Sequence, residues 1–286
     1  MKTKSHLPIF SLLFGAFVWG IIWYPYRLMA KAGVAGIYSS LYVFTLTLAI
    51  ALPYFLITKK KISLATKDFW LLSFVAGYTN ISYVLAVIDG EVVRVMLLFY
   101  LSPIWTIFLA HFMLNEHTPK RHYIASFISL IGAFIMFWEP GTLIHLNSKS
   151  DWLALSSGAG FAITNVMTRK QTHITISQKA LAIWLGVIIV ALVCIMFDRN
   201  TMPTLGFFTS LDALIMIVIA LSLFFSTLLV QFGVTQIKAV EASSFFLFEI
   251  VIAAISSYFL VGESIAFKEW LGGFMIISGV ILAAKD

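Results

Sequence analysis

Apolar runs of roughly 17–23 residues, separated by short polar loops, recur along almost the whole chain. A helix of about 20 residues spans a hydrocarbon core of about 30 Å. The pattern therefore predicts ten membrane helices, over 8–29, 36–58, 68–88, 92–114, 122–138, 152–170, 179–197, 212–233, 239–261 and 267–284. Small residues such as Gly15, Gly158, Gly272 and Gly273 offer sites where helices can approach closely. The expected fold is an all-α polytopic membrane protein.

The pattern also repeats. Residues 91–138 form a helix, a turn reading NEHTPKR and a second helix, and 240–284 run the same way about the turn VGES. Shifting one stretch by 147 residues puts Glu116 on Glu263, Phe112 on Phe259, Phe127 on Phe274 and Gly132 on Gly279. His111 then falls on Tyr258 and Leu114 on Val261. Apolar matches carry little weight between two membrane segments. A Glu at the same point of both turns, with a Gly about four turns further on, carries more. The reading is an internal duplication: a first repeat over 1–138, a polar connector over 139–151 and a second repeat over 152–286. Five helices per repeat is an odd number, so the halves are expected to insert with opposite orientation, as inverted repeats.

Composition agrees with the pattern: 60% of residues are hydrophobic, 11% are charged, and mean hydropathy is +0.97. The net charge of +6 does not point to nucleic acid, because the cations lie in short loops between apolar spans. With the N-terminus inside, thirteen of the nineteen Lys and Arg fall on the inner side, which places both termini in the cytoplasm and the protein in the inner (cytoplasmic) membrane. The first helix begins like a signal peptide and offers Ala30-Lys31-Ala32. Its apolar region is about twice too long for one and holds Trp19, Trp23, Pro25 and Arg27, so it is expected to stay as helix 1. Cys194 stands alone in an apolar run. No disulfide framework, Cys metal cluster or histidine metal site is expected, and no cofactor.

The five-helix duplicated unit, the Pro of LSPIW in helix 4 and the helix–NE/GE–helix hairpins resemble the EamA-type carriers of the drug/metabolite transporter superfamily. The resemblance covers 8–284 and rests on Pro103 with Glu116, and on Glu249 with Glu263. It implies an alternating-access carrier or exporter of small metabolites, often amino acids or related amphiphiles, with no ATP site. In the family a Pro usually follows the acidic position of helix 9. Here that place reads Phe248-Glu249-Ile250, so the second repeat is expected to lack the kink.

Candidate chemistry centres on Glu249, near mid-bilayer in helix 9. An ionised carboxylate is costly there unless it faces a cavity or a partner, which suits a proton-coupling or cation-binding acid. The alternative is a protonated carboxyl bonded to a neighbouring helix. Tyr78, Asn80 and Tyr83 in helix 3 and Tyr100 in helix 4 suggest a polar-aromatic wall, and Asn80 and Tyr83 share a face. Trp19 and Asn165 are candidates from the first helix of each repeat, and Thr227 and Gln231 from helix 8. Pro103 would bend helix 4 and serve as a hinge, or be a harmless membrane proline. Glu91 and Arg94 read as an interfacial ion pair or an external gate. Glu241 is expected near water or Lys238. Glu116 and Glu263 read as turn residues that orient the hairpins.

The expected partners are a small-molecule substrate, the lipid bilayer and protons as a coupling ion, and a duplicated unit can work as a monomer. An exporter of drugs or lipophilic cations is the alternative within transport. An integral-membrane enzyme acting on lipid-linked substrates would need a cluster of acids or His at one face, and the sequence shows none.

Overall fold

The structure, a computed structural model, describes residues 6–34, 36–58, 66–90, 92–138, 146, 148–197 and 210–285, apart from the side chains of 93 and 210. The N-terminal lysines, residues 59–61, Glu91, Asp198, Arg199 and most of the 139–151 connector lie outside them. Twelve α-helices and one π-helical turn make ten rods among the described residues. In the first repeat these are α1 (Leu7–Lys31), α2 (Gly36–Thr58), α3 (Lys67–Asp89), a broken rod of α4 (Val92–Phe99), α5 (Ser102–Leu109) and the π turn (Ala110–Leu114), and α6 (Lys120–Phe137). In the second they are α7 (Lys149–Lys170), α8 (Ile176–Phe197), α9 (Ser210–Gln236), a broken rod of α10 (Ala239–Phe246) and α11 (Phe248–Val261), and α12 (Phe267–Ala284).

Eight of the ten rods are long and apolar enough to cross a membrane. The exceptions are α6 and α7, so length and hydropathy alone do not support ten crossings. Their compositions explain why. The first turn of α6 is Lys120-Arg121-His122, and α7 carries Lys149, Asp151, Arg169 and Lys170 with a buried row of Ser, Thr and Asn. A helix packed against protein on most of its surface has no need to be apolar.

Packing obeys the 147-residue shift. Helix α3 lies on α7 as α9 lies on α1, and α6 lies on α12. A Cβ built on Gly132 would stand 2.5 Å from the Gly272 carbonyl oxygen, and one on Gly279 would stand 2.7 Å from that of Ala125. The repeat shift turns the first contact into the second. Residue 125 therefore meets 279 while 132 meets 272, so α6 and α12 run antiparallel. They hold the same place in the two repeats, and the repeats therefore point in opposite directions.

The hairpin turns have a shared cause as well. Asn115 (φ 48°) and Gly262 (φ 73°) end their helices in the left-handed region, 147 residues apart. Gly and Asn are the residues that adopt this conformation at least cost, and it terminates a helix by folding the next N–H back. The Asn-Glu and Gly-Glu pairs of the sequence are thus a helix stop followed by an acid.

Both broken rods break at the same place. Tyr100 and Leu101 interrupt the first rod, and Leu247 interrupts the second. Pro103 explains the first, because residue 103 has no N–H to offer the carbonyl of Phe99. The second has no proline, as the sequence reads, and its interruption is a local one: the N–H of Ile250 turns to the Leu247 carbonyl at 3.2 Å, an i→i−3 bond that tightens the rod.

Candidate functional site

The two breaks meet at the centre of the bundle. Phe99 ends α4 and Phe246 ends α10, and both rings pack on Phe161 of α7, with centroids 5.6 and 5.2 Å away. Trp19 of α1 joins them, 5.5 Å from Phe246 and 6.1 Å from Phe161. On the other side Tyr83 lies 4.8 Å from Phe99, and Tyr100 stacks on Phe137 of α6 at 6.0 Å and 11°. Six helical rods thus contribute rings to one cluster, from both repeats.

Glu249 sits against this cluster in the first turn of α11, where the N-terminal dipole favours negative charge. The Tyr100 and Tyr83 hydroxyls both lie within electrostatic reach of its carboxyl. Glu249 keeps some exposure while its neighbours Leu247 and Ile250 are buried. The repeat mate of Glu249 is Ser102, which is buried at the first turn of α5. The centre is therefore two-fold in shape and one-fold in charge.

The other sequence candidates divide. Asn80, one turn from Tyr83 on the same stripe, has its Oδ1 buried with no partner among the described residues, leaving an acceptor free. Asn165 is buried one turn from Phe161. Thr227 is buried as well, but Gln231, one turn on, accepts a hydrogen bond from Thr168 Oγ1 at 2.9 Å and ties α9 to α7. Pro103 is buried at the first break. Tyr78 is not brought to the centre: it is 37% exposed on the outer surface, and its hydroxyl bonds with Ser156 at 2.8 Å. It lies off the Asn80–Tyr83 stripe, and that angular offset carries it outward.

Charged groups gather at the two ends. At one end Arg94 pairs with the buried Asp151 of α7 at 2.8 Å, so its partner in the structure comes from another helix. Glu91 falls outside the described residues. At the other end Glu241 lies 3.8 Å from His122, and the Lys238 ammonium donates to the His117 carbonyl. Glu116 does more than orient its turn. It pairs with Arg169 at 2.9 Å and accepts the Ala239 N–H at 3.2 Å, both in the other repeat. Among the described residues no group of three or more His, Cys, Asp and Glu could hold a metal ion.

Sequence reasoning missed Phe99, Phe161 and Phe246, because a phenylalanine in an apolar run carries no mark. One signal was present: Phe99 and Phe246 are repeat mates flanking the two acidic or proline-bearing breaks.

A helical bundle of oppositely oriented repeats, with an acid and aromatic rings where two broken helices meet, is the architecture of a membrane transporter. The EamA-like transporter family model matches the chain twice, over residues 6–138 and 148–285, and the chain belongs to that family. An uncharacterized transporter of Archaeoglobus fulgidus is 26% identical over 210 residues, 73% of each chain. The permease-like protein YdzE of Bacillus subtilis is 34% identical over 59 residues, 21% of this chain and 76% of that one. A protein of known crystal structure superposes with a TM-score of 0.81 over 96% of both chains at 12% identity, a likeness of fold alone.

Proposed function

We propose that this protein is a secondary transporter of a small organic metabolite, an amino acid or related amphiphile, working by alternating access through the central cluster. The two inverted repeats rock about the breaks at Tyr100–Leu101 and Leu247, with Pro103 as one hinge and ten crossings placing both termini in the cytoplasm. Trp19, Asn80, Tyr83, Tyr100 and Asn165 contact substrate, and Glu249 carries the coupling proton.

The observation that supports this reading most is the place of Glu249 at the meeting of the two breaks, with Tyr100 and Tyr83 in electrostatic reach of its carboxyl. A carboxyl in reach of two phenols and beside a cluster of rings can exchange a proton without leaving an isolated charge in a low-dielectric centre. Rings beside a carboxylate also suit a lipophilic cation, which favours a drug or cation exporter as the second reading.

The test is uptake by sealed proteoliposomes of a panel of amino acids, nucleosides and organic cations, with and without a pH gradient, for wild type and Glu249→Gln. Gradient-driven accumulation that the variant loses supports a coupling acid, and the compound accumulated separates the two readings. Equal accumulation by the variant reduces Glu249 to a packing role.

A further inference from the structure

At the Glu116 end, a polar layer crosses from one repeat to the other. Thr168 donates to Gln231, and the Lys179 ammonium, fully buried, donates to the Thr168 carbonyl at 2.6 Å and to Thr235 Oγ1 at 3.1 Å. Arg169 donates to the Thr235 carbonyl and to Glu116 Oε1. These residues bind α7, α8 and α9 into one block of the second repeat. Glu116 reaches that block from the first repeat, and its second oxygen accepts the first N–H of α10.

The opposite end is built differently. Glu263 occupies the position equivalent to Glu116, yet it accepts from Ser257 of its own hairpin and is exposed. The same acid in the same turn thus crosses between repeats at one end and stays within its repeat at the other. Equivalent turns have different partners, and at the opposite end the repeats are joined by another pair, Arg94 with Asp151.

We infer that Glu116, Arg169 and the Ala239 N–H form the latch that holds this end of the carrier closed, with buried Lys179 fixing the block on which Arg169 is mounted. The inference rests on the alternating-access reading. Opening this end separates Glu116 from Arg169 and from the α10 N-terminus, and charge-assisted bonds to one carboxylate are the ones lost. Glu116 and Arg169 are positioning residues for transport: they act on which side the centre faces, not on the substrate.

The experiment reads gating without needing a substrate. In a Cys194→Ser background, Thr227→Cys reports on the buried stretch of α9 one turn from Gln231 toward the centre. A membrane-impermeant maleimide is applied separately to each face of oriented vesicles. The latch intact, the thiol is protected from the Glu116 face. Adding Glu116→Gln raises its labelling rate from that face by about tenfold, the weight of one lost charge-assisted bond. Arg169→Lys keeps the charge but not the fork geometry, gives a smaller increase, and serves if the Gln variant does not fold. Glu263→Gln leaves the rate unchanged. Equal rates in wild type, Glu116→Gln and Arg169→Lys overturn the latch. Faster labelling with no flux of any compound upholds the latch and counts against the transport reading instead.

Discussion

Phe99 and Phe246 stand 147 residues apart, end equivalent helices at equivalent breaks, and pack on the same ring, that of Phe161. One aromatic side chain thus bridges the two halves at the point about which they are related. Phe161 also touches Trp19, so three ring contacts converge on it.

Replacing Phe161 by Ala removes those contacts, each worth about 0.5–1.5 kcal/mol. If the cluster forms the substrate site, KM for the transported compound rises about tenfold, and Phe161→Leu falls between Ala and wild type. Proteoliposome kinetics decide it. A lowered melting temperature with KM unchanged would leave Phe161 a packing residue.

The α6–α12 contact makes a sharp prediction about stability. A side chain at Gly132 would meet the Gly272 carbonyl oxygen, and one at Gly272 would meet that of Gly132 at 2.4 Å, so neither helix can yield except by moving apart. Gly132→Val is expected to destabilise by on the order of 1–3 kcal/mol. At Gly273 the nearest atom to a new Cβ is 3.9 Å away, in ordinary contact, so Gly273→Ala should leave the melting temperature equal or slightly higher. Thermal unfolding in detergent compares the two.

The break at Leu247 predicts tolerance of proline at one position. The Ile250 N–H is already turned aside to an i→i−3 partner, so Ile250→Pro gives up only that backbone bond, beside the packing of a buried side chain that Ile276→Pro loses too. The loss should be about 1 kcal/mol, against about 3 kcal/mol or more for proline deeper in a regular helix such as at Ile276. Melting temperatures of the two variants settle the difference. If Ile250→Pro is as damaging as Ile276→Pro, the second rod is less open at Leu247 than its geometry implies.

Arg94 and Asp151 should behave as a coupled pair. Asp151 is buried, caps α7 through the Ser148 N–H, and takes two contacts from Arg94. Arg94→Ala leaves a buried carboxylate with its cation gone and should cost about 3 kcal/mol. Adding Asp151→Asn removes the buried charge that lost Arg94, so the double variant should be more stable than Arg94→Ala alone. Strict additivity in thermal unfolding would mean that the pair contributes nothing beyond its separate members.

Much of the fold was legible because membrane spans announce themselves by length and apolarity, and because repeat and inversion follow from counting helices. Asn115, Gly262, Glu116 and Glu263 were visible as a pattern, and the left-handed helix stop supplies its reason. The second break was not legible. Sequence marks a break by proline, whereas the interruption at Leu247 is a shifted hydrogen bond that leaves no residue signature. Candidates for the site stood out where polar chemistry is rare in apolar runs, as at Glu249 and Asn80. Sequence did not show that Tyr78 would be exposed and bonded to Ser156, nor that Arg169 and Glu116, 53 residues apart, would meet through the fold.

Ser102 and Glu249 hold equivalent places, and only one of them can carry charge. In an alternating carrier built from equivalent halves, the inward- and outward-facing forms are close to the same object turned over. Shape alone then gives the cycle no preferred sense. The asymmetry of the machine resides in a few side chains laid over a symmetric frame, foremost this carboxyl. If the protein works by alternating access as proposed, exchanging the pair, Ser102→Glu with Glu249→Ser, is expected to reverse the direction of gradient-driven accumulation in oriented vesicles.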